Sequence, residues 1–202
     1  CRVLAPPLAL PALEDFSSHV AQALEEPAAG EPLARLLHKG SRVAVVVDDP
    51  SFPVPACSHD CRKEMLEEVL KLLAAHGAGH GRVNVVMANG LGRKWRQTEL
   101  TDLLGLKSTA SFPIACHDAE AQQGLLRIGE EPEGPVELNR QVAEADLVVY
   151  LNVASMPLLA GLHGLVSGTA GYRTARFLGA PQLFDKEEAP LLPGSAYELV
   201  HE

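Results

Sequence analysis

Apolar residues follow one another without a polar break over 43–47 and 147–151, and nearly so over 82–87. Runs of this length, rich in β-branched residues and free of alternation, predict strands buried on both faces, as in the centre of a parallel sheet. The first run stops abruptly in Asp48-Asp49 and then in the prolines of PSFPVP. Between the runs, apolar positions recur at helical spacing. Met65, Val69, Leu72 and Leu73 predict a helix over 58–76, with Ser58 as N-cap and Gly77 at its end. A second helix is predicted over 97–104. Ahead of the first strand, Leu13, Phe16, Val20 and Leu24 predict a helix over 13–24, and a short helix over 33–39 is stopped by Gly40. A strand is predicted over 112–116, and 125–128 and 136–138 are expected to pair across the EEPEGP loop. A helical turn is expected over 139–145, and a Gly-rich loop over 161–171 leading into a helix through Leu178. Strands alternating with helices predict βαβ crossovers and a mostly parallel sheet, whose ligand edge is the carboxyl end of its strands.

Composition narrows the function classes. The chain has 202 residues, enough to bury a sizeable core, and a net charge of −9. A nucleic-acid footprint is basic, so neither DNA nor RNA is an expected partner. No apolar run approaches the length of a bilayer span. Residues 3–13 are apolar but broken by three prolines, and they do not read as a signal peptide. Four cysteines without framework-like spacing point to a reducing compartment, so the cytoplasm is expected.

The strand ends supply the candidate chemistry. Asp48 and Asp49 close the first strand and read either as ligand or base contacts or as turn punctuation before a proline. Asn89-Gly90-Leu91-Gly92-Arg93 closes the second. Its glycines allow close backbone approach and Arg93 suits a carboxylate or phosphate, or the segment is a tight turn with a solvated Arg. Cys116-His117-Asp118 closes the third. Imidazole beside carboxylate is an acid–base arrangement, although neighbours on a strand point to opposite faces. The segment 161–169 precedes a helix whose free N–H groups suit an anion, or it is a flexible loop with Ser or Thr capping. It lacks the Lys of a Walker sequence. Cys57 and Cys61 would share a helical face with His59 pointing elsewhere, and only Cys116 and His117 could supply a second pair; His76 and His80 read as turn residues, so no metal site is expected.

Several segments resemble the lactate racemase family, in its N-terminal domain, from about Val20 to Gly168. Ala23-Leu24-Glu25-Glu26-Pro27, Leu33 to Leu37 and Gly40 to Val47 match the family's opening. Asp49-Pro50-Ser51-Phe52-Pro53-Val54-Pro55 is similar to its D-x-T-R-P-x-P turn, and Ala88 to Arg93 with Glu99-Leu100 to its second loop. His117-Asp118-Ala119, Gly134-Pro135-Val136, Asn139-Arg140, Glu144 to Leu147 and Ala160-Gly161 continue the match in order. The resemblance implies a two-domain enzyme with a three-layer, Rossmann-like α/β N-terminal domain. It implies a nickel-pincer nucleotide held through a Lys thioamide, with histidines moving the substrate's hydroxyl proton and an Arg holding its carboxylate. The chain departs from that pattern at several points. Phe52 stands for the Arg, Gly92 for the second-loop His, and Met156, Pro157 or Leu158 for the other His. No Lys lies between Lys107 and Lys186; the anchor's place falls near Ser167.

The combined expectation is an α/β domain over 41–179, with a segment 1–40 packed on it and a Pro-rich tail over 180–202. His117 and Asp49 are the candidate catalytic residues. Asp49, Ser51, Gly90, Arg93, His163, Gly164, Ser167, Gly168 and Thr169 are the candidate cofactor or ligand contacts. The expected function is that of a divergent lactate-racemase-like protein binding a nucleotide-type cofactor or a small hydroxy acid, with isomerisation of 2-hydroxy acids as the implied reaction. The alternative is a non-catalytic binding or regulatory module. The cofactor is left open, because the nickel-pincer nucleotide lacks its Lys. A second domain or chain completing the cleft, or a second copy in an oligomer, is the partner consistent with this reading.

Overall fold

The central strand β1 (Val43–Asp48) is buried from Val43 to Val47, as its unbroken apolar run requires. A computed structural model describes residues 11–51, 60–79, 81–104, 112, 114–132, 134–152 and 162–178. Around β1 the parallel sheet runs β3-β2-β1-β6, with β2 at Val83–Ala88, β3 at Ile114–Cys116 and β6 at Leu147–Leu151. The register pairs Val45 with Val85 and with Val149, so each row of side chains crosses the sheet on one face.

One row set, with Val43, Val45, Val47, Val85, Met87 and Leu151, packs under α3 (Arg62–Ala75) and α4 (Gln97–Leu104). The helix α1 (Phe16–Glu25) lies on α3 through Val20 and Leu24 and a contact of 2.6 Å between Glu25 and His76. A short helix α2 (Leu33–Leu36) adds Leu33 to the same core. The opposite rows, Ala44, Val46, Val86 and Ala88, pack against Val142 of α5 (Arg140–Ala143) and Leu165 of α6 (Leu162–Thr169). Between β3 and β6 the chain forms the expected hairpin, β4 (Leu125–Glu131) and β5 (Gly134–Asn139), antiparallel with a register shift between Arg127 and Gly129. Its Val136 and Leu138 pack with Val166 and Ala170, and α7 (Tyr172–Leu178) closes that side.

Two expectations change. In α3 the buried stripe is Arg62, Leu66, Val69, Leu70 and Leu73, while Met65 and Leu72 flank it half-buried. Steps of four, three, one and three keep that stripe on one helical face. The segment 161–171 is not a loop over its described part: Leu162–Thr169 is helical. Gly164 and Gly168 are four apart and share a face, and Gly168 lies against the end of β2. Ser58, the expected N-cap, lies outside the described residues, as do Gly161 and the tail 180–202.

Candidate functional site

The carboxyl ends of β1, β2 and β3 each deliver a buried polar residue. Asp49, Asn89 and His117 are 3%, 5% and 0% exposed. Burial of polar groups is tolerated where hydrogen bonds replace water, so the partners define each residue's role.

Asp49 Oδ1 accepts from the Ser51 N–H at 2.8 Å, the Ser51 hydroxyl at 2.7 Å and the Trp95 indole N–H at 3.1 Å. The Asp49 carbonyl accepts from Arg62 Nη1 at 2.7 Å, and Arg62 is itself buried and paired with Asp60 at 2.7 Å. Asp49 and Ser51, two of the expected ligand contacts, therefore bond each other in a closed turn. The Trp95 N–H that joins it comes from 46 residues away.

The second loop folds down onto that turn. Gly90 has φ of 51°, where glycine is favoured. Its N–H donates to the Gly168 carbonyl at 2.9 Å, and a Cβ there would meet the Ser167 carbonyl oxygen at 2.7 Å. A Cβ on Gly168 would meet Ala88 Cβ at 2.5 Å. Gly90, Ser167 and Gly168 are thus brought together, but against one another, backbone to backbone. Gly92 donates to the Asn89 carbonyl at 2.7 Å, and a Cβ there would lie 2.8 Å from that oxygen and 3.2 Å from Asp49 Oδ2. Arg93 Nη2 donates to Glu99 at 2.8 Å, and its guanidinium sits 4.0 Å from the centre of the Trp95 ring. The backbone N–H of Trp95 donates to Cys116 Sγ at 3.2 Å, and burial pushes the Cys116 thiol above its ordinary range.

His117 occupies the opposite side of the sheet edge. Its Nε2 lies 2.8 Å from the Ala170 carbonyl, which only accepts, so Nε2 carries the proton. Nδ1 then accepts from Asn139 Nδ2 at 3.3 Å, and the Asn139 amide is oriented by Gln141 N–H donating to Oδ1 at 3.0 Å. Burial holds the imidazole pKa below its usual value, and the ring is neutral. Both nitrogens are engaged and the ring is enclosed; in this placement it ties β3 to the α6–α7 junction. Asp118 does not meet it: its carboxylate pairs with Lys94 at 2.6 Å.

Sequence reasoning missed four side chains. Trp95 and Asn139 are described above. Tyr150 donates its hydroxyl to Asp48, and burial with that carboxylate raises the phenol's pKa. Among the described residues, Asn152, just past β6, has an Nδ2 with no hydrogen-bond partner, and Asn89 has an Oδ1 in the same condition. Strand alternation alone places Tyr150 opposite Val149 and Leu151, but only the β1–β6 register aligns it beside Asp48. Asn89 Nδ2 donates to the His117 carbonyl at 3.0 Å, which fixes its unpartnered atom as an acceptor.

Thr169 is buried and donates its hydroxyl to the Leu165 carbonyl at 2.7 Å, a bond internal to α6. Gly164 is buried in the same helix. His163 belongs to α6, and Phe52, Met156, Pro157, Leu158, Cys57, His59 and His80 lie outside the described residues. Among the described residues no three His, Cys, Asp or Glu side chains come together as a metal-binding group. Among them, too, no helix is long and apolar enough to cross a membrane.

The sequence pattern of the lactate racemase N-terminal domain matches residues 1–176. This chain belongs to the lactate racemase N-terminal domain family. Its fold is similar to the lactate racemase apoprotein from Thermoanaerobacterium thermosaccharolyticum, with 22% identity and a TM-score of 0.66. That match covers 86% of this chain and 41% of the other. A structural-genomics protein from Thermotoga maritima is similar at 19% identity and a TM-score of 0.60, over 92% of this chain and 46% of that one. The chain thus spans less than half the length of either, and at these identities the likeness is one of fold. No curated protein matches the sequence.

Proposed function

We propose that this lactate-racemase-like chain binds a small hydroxy acid at the carboxyl edge of its sheet and does not by itself racemise it. The observation that carries this reading is the buried, unpartnered Oδ1 of Asn89. A buried acceptor left without a donor costs about 1–3 kcal/mol, and a ligand hydroxyl would remove that cost. Arg93 keeps N–H groups beyond the one given to Glu99, and they suit the carboxylate of the same ligand. Asn152 Nδ2 lies two strands away, about 10 Å at the usual strand spacing, so only a longer ligand reaches both amides.

A nucleotide-type cofactor has less support, because Gly90 spends its N–H on the Gly168 carbonyl, where a phosphate would need that N–H. Racemisation needs a base for the hydroxyl proton, and His117, the imidazole expected there, has both nitrogens committed. We further propose that a second domain or chain covers this edge, given how little of its relatives' length the chain spans, and that the protein works in the cytoplasm.

Calorimetric titration with lactate and with propionate, which lacks only the hydroxyl, tests the reading. Lactate is expected to bind about tenfold tighter or better, and Asn89→Leu to erase the difference. Equal affinities, or no binding of either acid, would sink it. A chiral assay on the same sample is expected to show no interconversion of the lactate enantiomers; turnover would favour the isomerase reading instead.

A further inference from the structure

The residues present do not fit the nickel-pincer nucleotide that the family implies. Such a group needs a Lys amine for its thioamide, and the chain has no Lys between 107 and 186. Ser167 falls at that place, and it lies within a helical turn docked on the second loop, with its carbonyl 2.7 Å from where a Gly90 Cβ would stand. The family's second-loop imidazole would have to grow from position 92. Any side chain there begins with a Cβ 2.8 Å from the Asn89 carbonyl oxygen, a backbone atom with little freedom to retreat. The Trp95 indole already stands beside the Asp49 carboxylate, with the Arg93 guanidinium over its ring and the Trp95 backbone held by Cys116 Sγ.

We infer that this chain has exchanged the family's proton-transfer loop for an indole clasp. In that clasp Trp95 closes the second loop on Asp49, and glycines at 90, 92 and 168 let that loop pack against the α6 backbone and the Asp49 side chain, so the pincer nucleotide is excluded by packing as well as by the missing amine. The inference is independent of hydroxy-acid binding at Asn89; either can fail without the other.

The test is to co-express the full chain with the cofactor-synthesis enzymes, beside a lactate racemase as positive control, and to measure intact mass and nickel content. The bare mass and background nickel are expected here, with an adduct on the control. A stoichiometric nickel adduct on this chain would overturn the inference. Ser167→Lys restores the amine alone and is expected to stay free of adduct. An adduct on that variant would show that the amine was the whole barrier and that the clasp excludes nothing. The packing is read separately with Gly92→Ala, checked for folding by far-UV circular dichroism. Its added Cβ should push the loop off Asp49, red-shift the emission of Trp95, the chain's one tryptophan, and lower Tm. Unchanged emission and Tm would refute the clasp.

Discussion

His117 is enclosed with its proton on Nε2, and protonating Nδ1 would set a cation against the N–H of Asn139. Burial is the largest influence on its pKa, outweighing the Ala170 carbonyl and Asp118, which pull upward. The folded pKa therefore lies below the unfolded value of about 6.5. Between those two values the unfolded chain binds the extra proton, so this group's contribution to stability is present above about pH 6.5 and is lost as pH falls toward the folded pKa. At full effect the slope is about 1.4 kcal/mol per pH unit. His117→Gln keeps a donor for Ala170 and removes the titration. Denaturant melts at about pH 7 and about pH 5 should show a smaller acid loss in the variant than in the parent; equal losses would show that His117 does not titrate. Tyr150 belongs to the same scale. Its hydroxyl is held by Asp48, so it remains protonated through the neutral range.

At the scale of elements, α6 shows how a local reading fails for a physical reason. Glycines at 161, 164 and 168 suggest a loop, because glycine is a poor helix former by about 1 kcal/mol against alanine. Here the close approach to Ala88 outweighs that preference, since any larger residue at 168 would hold the helix away from β2. Gly168→Ala sets the two effects against each other. Propensity alone predicts about 1 kcal/mol of gain, whereas a Cβ placed 2.5 Å from Ala88 Cβ predicts about 1–3 kcal/mol of loss from overpacking. A net loss in equilibrium denaturation is expected, and a stabilised variant would mean that α6 packs less closely than described. The same logic explains the second loop. Its sequence marks a turn, but nothing local reveals that Trp95 reaches Asp49.

Over the whole molecule, stability is expected to be graded outward from β1. That strand is hydrogen-bonded on both sides, by β2 and β6, and is buried on both faces. The edge strand β3 has three residues and one neighbour, and α1 has no fully buried side chain. Native-state hydrogen exchange should find the slowest amides in Val43–Asp48 and Val83–Ala88, with Ile114–Cys116 and Phe16–Glu25 opening well before global unfolding. Uniform protection across these elements would contradict that gradient.

The sequence by itself determined the α/β class, the strands over 43–47 and 82–87, the antiparallel hairpin and the helix at 97–104. These follow from short-range periodicity, where a residue's neighbours along the chain are also its neighbours in the element. Asp49, Asn89 and His117 were visible as strand-end positions for the same reason. What each of them does was decided only by tertiary structure. His117 meets Ala170 from 53 residues away, Asp49 meets Trp95 from 46, and Tyr150 meets Asp48 from 102. A parallel sheet joins strands through long crossovers, so its carboxyl edge is assembled from residues that share no local pattern. Whether a polar side chain there faces a ligand or a partner of its own is set by register and packing.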